Sequence, residues 1–82
     1  MTDAEIAALV TRCLYEVAPE IEGEEIVPDE PLTDQFELDS MDQLNLVIAL
    51  HKATGLDIPE ADNPHFATLT SSVEYLKVRL SA

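Results

Sequence analysis

The sequence predicts an all-α fold: a small four-helix bundle of three principal helices, one short helix and a long first loop. Three observations carry that expectation. Apolar residues recur at three- and four-residue steps in three separate stretches, the period of a helix with one buried face. Helix-start and helix-stop residues bracket those stretches, with Asp39 ahead of one and Pro19 and Gly55 behind two. The chain has 82 residues, 46% of them apolar, which suits one modest core. A domain of this size buries roughly 60% of its unfolded surface, too little for two independent cores. A single domain over residues 1–82 is expected.

The first helix is expected over Thr2 to Val17, where Ile6, Leu9, Val10, Cys13, Leu14 and Val17 form one apolar stripe. Thr2 and Glu5 have capping-box spacing, and Pro19 stops the helix. Cys13 falls on the apolar face and reads as core packing, and a lone cysteine forms no internal disulfide. Residues 19–38 lack sustained periodicity and are punctuated by Pro19, Gly23, Pro28 and Pro31. Their apolar pegs, Ile21, Ile26, Val27, Leu32 and Phe36, predict an ordered, partly turn-like loop that wraps the helices.

The second principal helix is expected over Ser40 to Thr54, capped by Asp39 and ended by Gly55. Its apolar residues, Met41, Leu44, Leu46, Val47, Ile48 and Leu50, cover more than one stripe, which predicts packing on more than one side. An extended connector, Leu56-Asp57-Ile58-Pro59, follows, since a residue before proline is biased away from helix. One short helical turn is expected near Glu60 to Pro64. The last helix is expected from about Thr68 to Leu80, with Leu69, Val73, Leu76 and Leu80 inward. Lys77 and Arg79 lie near its C-terminus, where the helix dipole favours cations.

Charge narrows the function classes. Seventeen acidic residues face four basic ones, for a formal net charge of -13. That sign repels phosphate backbones and excludes nucleic-acid binding. It also disfavours anionic membrane surfaces, and no apolar run approaches the ~20 residues that span a bilayer, so no membrane insertion is expected. The opening MTDAEIAALV has an acid where an export signal has positive charge, and the chain is expected to be cytoplasmic. Mutual repulsion of acidic shells predicts a monomer. Acids crowd the stretch from Glu20 to Asp42 while the bases lie elsewhere, a one-sided field suited to docking proteins with basic patches.

Catalysis by this chain is not expected. His51 follows Ser40 by eleven positions on one helix, roughly 16 Å up its axis, too far to deprotonate the serine. No glycine-rich elbow accompanies Ser40, and one cysteine with two distant histidines makes no metal pattern. Local chemistry alone leaves Ser40 open to two roles: a tolerated first-turn residue behind Asp39, or a site of modification. A phosphoryl group there would gain from the bare amides and positive end of the helix. Asp39 and Asp42 oppose that gain, so they suit a basic enzyme acting on a covalently attached group better than capture of free phosphate.

At these residues the chain resembles an acyl carrier protein. Asp39-Ser40-Met41, followed by Asp42, Leu44, Leu46, Val47, Ala49 and Leu50, is similar to that family's modification site and second helix. The likeness runs on through Asp57-Ile58-Pro59 to Val73, Glu74, Tyr75 and Leu76. It implies that Ser40 accepts 4'-phosphopantetheine from coenzyme A, through a phosphodiester on its hydroxyl. The arm's thiol then holds acyl groups as thioesters for fatty-acid, polyketide or specialised lipid biosynthesis. The implied partners are a phosphopantetheinyl transferase and acyl-loading, acyl-transfer or synthase enzymes with basic docking patches. Asp39, Met41, Asp42, Gln43 and Asn45 are the implied docking edge. Met41, Leu44, Ile48, Phe66 and Leu69 are the implied walls of an acyl pocket, with ordinary core packing the competing role for each. A carrier of amino acids, or an acidic helical interaction module without the arm, are the alternatives. Glu37 stands where the family usually has glycine, and Asn45, His51 and Lys52 stand where acids are common. Thr54-Gly55 replaces a common aromatic-acid pair. These departures point to a specialised carrier.

Overall fold

The computed structural model describes residues 1–81. Helix α1 spans Asp3–Val17 and opens on a reciprocal cap. The Glu5 amide donates to Thr2 Oγ1 at 3.1 Å, and the Thr2 amide donates to Glu5 Oε1 at 2.8 Å. The hydrogen bond from the Thr2 backbone first, and the Thr2 side chain second, hold the Glu5 carboxyl below its ordinary pKa. Ile6, Leu9, Val10, Cys13 and Leu14 are buried, as the stripe predicts, and burial pushes the Cys13 thiol pKa up. Pro19 opens a single 3₁₀ turn, Pro19–Ile21, which plants Ile21 in the core.

The long loop contains a helix that periodicity does not reveal: α2, Leu32–Phe36. Five residues are too few to show a period, and tertiary bonds hold the segment instead. The Gln35 side chain accepts from the Val27 amide and donates to the carbonyls of Val27 and Glu30, at 2.9, 2.9 and 3.0 Å. The Leu32 amide donates to Ala67 O at 2.8 Å and the Thr70 amide to Pro28 O at 3.0 Å, docking the loop onto the start of the last helix. Leu32 itself is fully buried.

Helix α3 spans Ser40–Thr54 and ends at Gly55, whose φ of 74° is left-handed and whose amide donates to His51 O at 2.8 Å. The connector then leads to a 3₁₀ segment, Glu60–Phe66, where one short turn is expected from the sequence. Helix α4, Leu69–Ser81, begins beside Thr68, whose Oγ1 accepts from the Ser71 amide at 3.0 Å. Ser72 is fully buried but donates to Thr68 O at 2.7 Å, so no polar group is stranded there. Helix α1 packs along both α3 and α4, and the 3₁₀ segment bridges those two. The all-α bundle is as expected, with α2 added.

Burial on α3 is narrower than its apolar residues suggest. Leu46, Val47 and Leu50 enter the core, whereas Met41, Leu44 and Ile48 remain 60%, 40% and 41% exposed. Helix α1 and the 3₁₀ segment are the elements packed closest to this helix, and Met41, Leu44 and Ile48 lie on the part of the apolar arc that they leave partly uncovered. Among the described residues, no helix is long and apolar enough to cross a membrane, and no group of three or more His, Cys, Asp or Glu could hold a metal ion.

Candidate functional site

Three successive residues aim the start of α3. Glu37 takes φ 54° and ψ 39°, a left-handed turn that ends α2. Leu38, nearly buried, pins the following link to the core. Asp39 is then the N-cap: its Oδ1 accepts from the Asp42 amide at 2.9 Å, and Asp42 Oδ2 accepts from the Asp39 amide at 3.3 Å. This reciprocal box is a signal that Asp39-x-x-Asp42 carries and that a search for Glu or Gln at the fourth position overlooks. Ser40 is the first helical residue and is exposed, with its hydroxyl beyond the box. The first intrahelical bond runs from the Gln43 amide to Asp39 O at 3.1 Å. The amides of Ser40 and Met41 precede it and have no carbonyl within the helix.

The side chains expected to act with Ser40 are arranged in several places. Met41, Leu44 and Ile48 follow one another down the exposed face of α3. Leu44 and Ile48 line a groove of about 510 Å³, closed on its other side by Ile58, Pro59 and Asn63. His51, at its end, donates from Nδ1 to Leu56 O across 2.6 Å, holding the connector against α3. Phe66 instead is sealed in the core, edge-on to Tyr75 with ring centroids 5.1 Å apart. Leu69 opens on a different groove, between Ala4 and Ala7 of α1 and Val73 of α4. The five expected pocket walls are therefore not gathered at one cavity. Extra apolar breadth left three of them outside the core, and the 3₁₀ segment drew Phe66 inside it.

The expected docking edge is also divided. Asp39 is exposed and Asp42 half-buried, and both spend carboxylate oxygens on the cap. Asn45 is exposed and faces a groove shared with Glu16 and Val17 of α1. Gln43 departs from the expectation of an exposed edge. It is half-buried and its Nε2 donates to Phe66 O at 2.8 Å, tying α3 to the end of the 3₁₀ segment. Nothing in its local sequence marks this, because the partner carbonyl lies 23 residues away.

The residues present fit the group that the resemblance implies, 4'-phosphopantetheine. An outward primary hydroxyl can bear a phosphodiester without crowding, and two unpaired amides lie beside it at the positive end of the helix. The cap turns the Asp39 and Asp42 carboxylates toward amides, which blunts their repulsion of such a group. An apolar groove begins one turn further on.

Comparison with known proteins agrees. The family model described as "Phosphopantetheine attachment site" matches residues 8–76. The acyl carrier protein of Desulforapulum autotrophicum is 24% identical over 72 residues, covering 88% of this chain and 94% of its own length. That of Rubrobacter xylanophilus is 27% identical over 56 residues, 68% of this chain and 69% of its own. The matched span takes in α3 whole and nearly all of the core, so the chain belongs to the phosphopantetheine-binding carrier family, whose prosthetic group is covalent 4'-phosphopantetheine.

Proposed function

We propose that Ser40 is the attachment point and that the chain is an acyl carrier. The observation that supports this most directly is the outward hydroxyl of Ser40 at the first turn of α3, behind the reciprocal Asp39–Asp42 cap. In loading, Ser40 Oγ forms the new phosphorus–oxygen bond and the pyrophosphate linkage of coenzyme A breaks. Adenosine 3',5'-bisphosphate leaves, and the hydroxyl proton passes to the transferase. His51 is occupied at the far end of the same helix, so the base in this reading is one of the transferase. When attached, the arm supplies a terminal thiol that carries acyl groups as thioesters.

The residues of this chain then hold, shield and advertise. The groove of Leu44, Val47, Ile48 and Ile58 offers an apolar wall to cargo, and apolar area removed from water is worth about 25 cal/mol per Å². Asp39, Asp42 and Asn45, with Met41 at their centre, present a polar rim around an apolar point to a transferase and to acyl-transfer enzymes with basic patches. Glu37, Asn45, His51 and Lys52 favour a specialised pathway over housekeeping fatty-acid elongation.

Intact mass tests the proposal. After incubation with coenzyme A and a broad-specificity phosphopantetheinyl transferase, wild type gains one arm and Ser40→Ala gains none. Unmodified wild type under several transferases would instead favour an interaction module without the arm. Offering acyl and aminoacyl donors to the loaded protein separates an acyl carrier from a carrier of amino acids.

A further inference from the structure

One atom in the seam between α3 and the 3₁₀ segment is unexplained by the fold. Gln43 Oε1 is the one buried side-chain oxygen or nitrogen among the described residues without a hydrogen-bond partner. The orientation of this amide is fixed by its neighbour. Nε2 donates to Phe66 O at 2.8 Å, and the opposite orientation would set two oxygens against each other. While Nε2 is held, Oε1 stays turned away from water. A buried acceptor without a donor is destabilising and uncommon in native proteins, so its retention calls for a reason.

Position supplies one. Gln43 follows Ser40 by three residues, so the two side chains share a face of α3 one turn apart. Leu44, beside it, opens the apolar groove. The facing wall is the weaker side of the seam. It is a 3₁₀ segment, whose hydrogen bonds are poorer than those of an α-helix, and Pro64 within it has no amide hydrogen. For the arm to reach Oε1, this wall has to shift while the Nε2–Phe66 bond stays in place, a local motion far short of unfolding the bundle.

We propose that Gln43 Oε1 is an acceptor for the prosthetic arm, receiving a hydrogen bond from its hydroxyl or amide N–H groups when the arm lies back along α3. This rests on Ser40 being the attachment point. Gln43 is then a positioning residue: Nε2 ties down the 3₁₀ segment while Oε1 holds the arm near its root. The donors needed are ones that 4'-phosphopantetheine has and that the described part of this chain does not provide at that atom.

The test compares apo and holo forms of wild type and Gln43→Met, a substitution that keeps the volume and removes the amide. Complete conversion to holo protein with excess transferase is checked by mass. In wild type, the side-chain amide resonances of Gln43 shift when the arm is added. The arm also raises Tm by on the order of 4–8 °C, the effect of one hydrogen bond in a domain of this size. In Gln43→Met that rise disappears. An equal rise in both proteins, or an unmoved Gln43 amide in wild-type holo protein, overturns the inference and leaves Oε1 to a buried water. The amide measurement needs only wild type, so it decides even if Gln43→Met does not fold. Failure of wild type to gain the arm's mass would instead overturn the reading of Ser40, and the two failures are read on different instruments.

Discussion

Glu37 takes a backbone conformation that suits glycine. Its φ of 54° is the one positive value among non-glycine residues described, and a left-handed residue with a Cβ costs roughly 1–2 kcal/mol. The resemblance to acyl carrier proteins implies glycine at that place, two residues before the aspartate. Glycine relieves the strain but gives back about 0.4–1 kcal/mol through the greater freedom of the unfolded chain. Glu37→Gly is therefore expected to stabilise the protein by about 0.5–1 kcal/mol net, a rise of a few degrees in Tm measured by circular dichroism. An unchanged or lowered Tm would mean that the Glu37 side chain makes compensating contacts. At this scale the place of Ser40 in the first turn of α3 was legible, because Asp39 before it and a helical stripe after it are local features. Gln43 was not, because a glutamine next to Asp42 near the start of a helix looks like surface until the carbonyl of Phe66 is brought to it.

Elements were legible where they carry their own boundaries. Helix α3 starts and ends where Asp39 and Gly55 place it, and α1 opens on the Thr2–Glu5 cap. Helix α2 and the length of the 3₁₀ segment were not, since both depend on partners distant in sequence. The 3₁₀ segment is fastened to α4 by a compact polar cluster. The Tyr75 hydroxyl donates to Asp62 Oδ2 at 2.6 Å, the Arg79 guanidinium reaches the same oxygen at 3.3 Å, and that guanidinium lies 4.8 Å from the Tyr75 ring centroid. Burial first, and the bond to Asp62 second, push the Tyr75 pKa up. A phenol whose folded pKa exceeds its unfolded value of about 10 stabilises the fold in its neutral form. That contribution is complete below pH 10 and is lost as pH rises through the folded value. Tyr75→Phe is expected to lower stability by about 1 kcal/mol at neutral pH, one hydrogen bond's worth, while keeping the packing against Phe66. It should also remove part of the alkaline loss of stability that wild type shows in urea titrations above pH 10. Parallel alkaline curves for the two proteins would count against Tyr75 as the fastening.

For the whole molecule, the decisive property is how little of its negative charge is neutralised internally. The net charge is -13, and the two ion pairs among the described residues, Lys77 with Asp3 and Arg79 with Asp62, both take their base from α4. The acids of the first loop and the mouth of α3 enter no ion pair among the described residues. A field of that kind speeds encounter with a basic enzyme and is screened over about 10 Å at 0.1 M salt and 3 Å at 1 M. The kcat/KM for loading by a transferase with a basic docking face is thus expected to fall on the order of tenfold between 0.05 and 0.5 M salt, within the range that electrostatic steering spans. Asp42 lies beside Ser40 and is the residue whose charge should matter most. It also caps α3, so Asp42→Lys would remove the acceptor for the Asp39 amide and mix helix fraying with charge reversal. Asp42→Asn keeps an oxygen for that amide and removes only the charge. Its loading rate should be several-fold lower at low salt, converge on wild type at high salt, and show a shallower salt slope, with Tm lowered by only a few degrees, the share of the charge at the helix start. If the two slopes coincide, the Asp42 carboxylate serves the helix cap alone, and steering must be assigned to the acidic loop between α1 and α3.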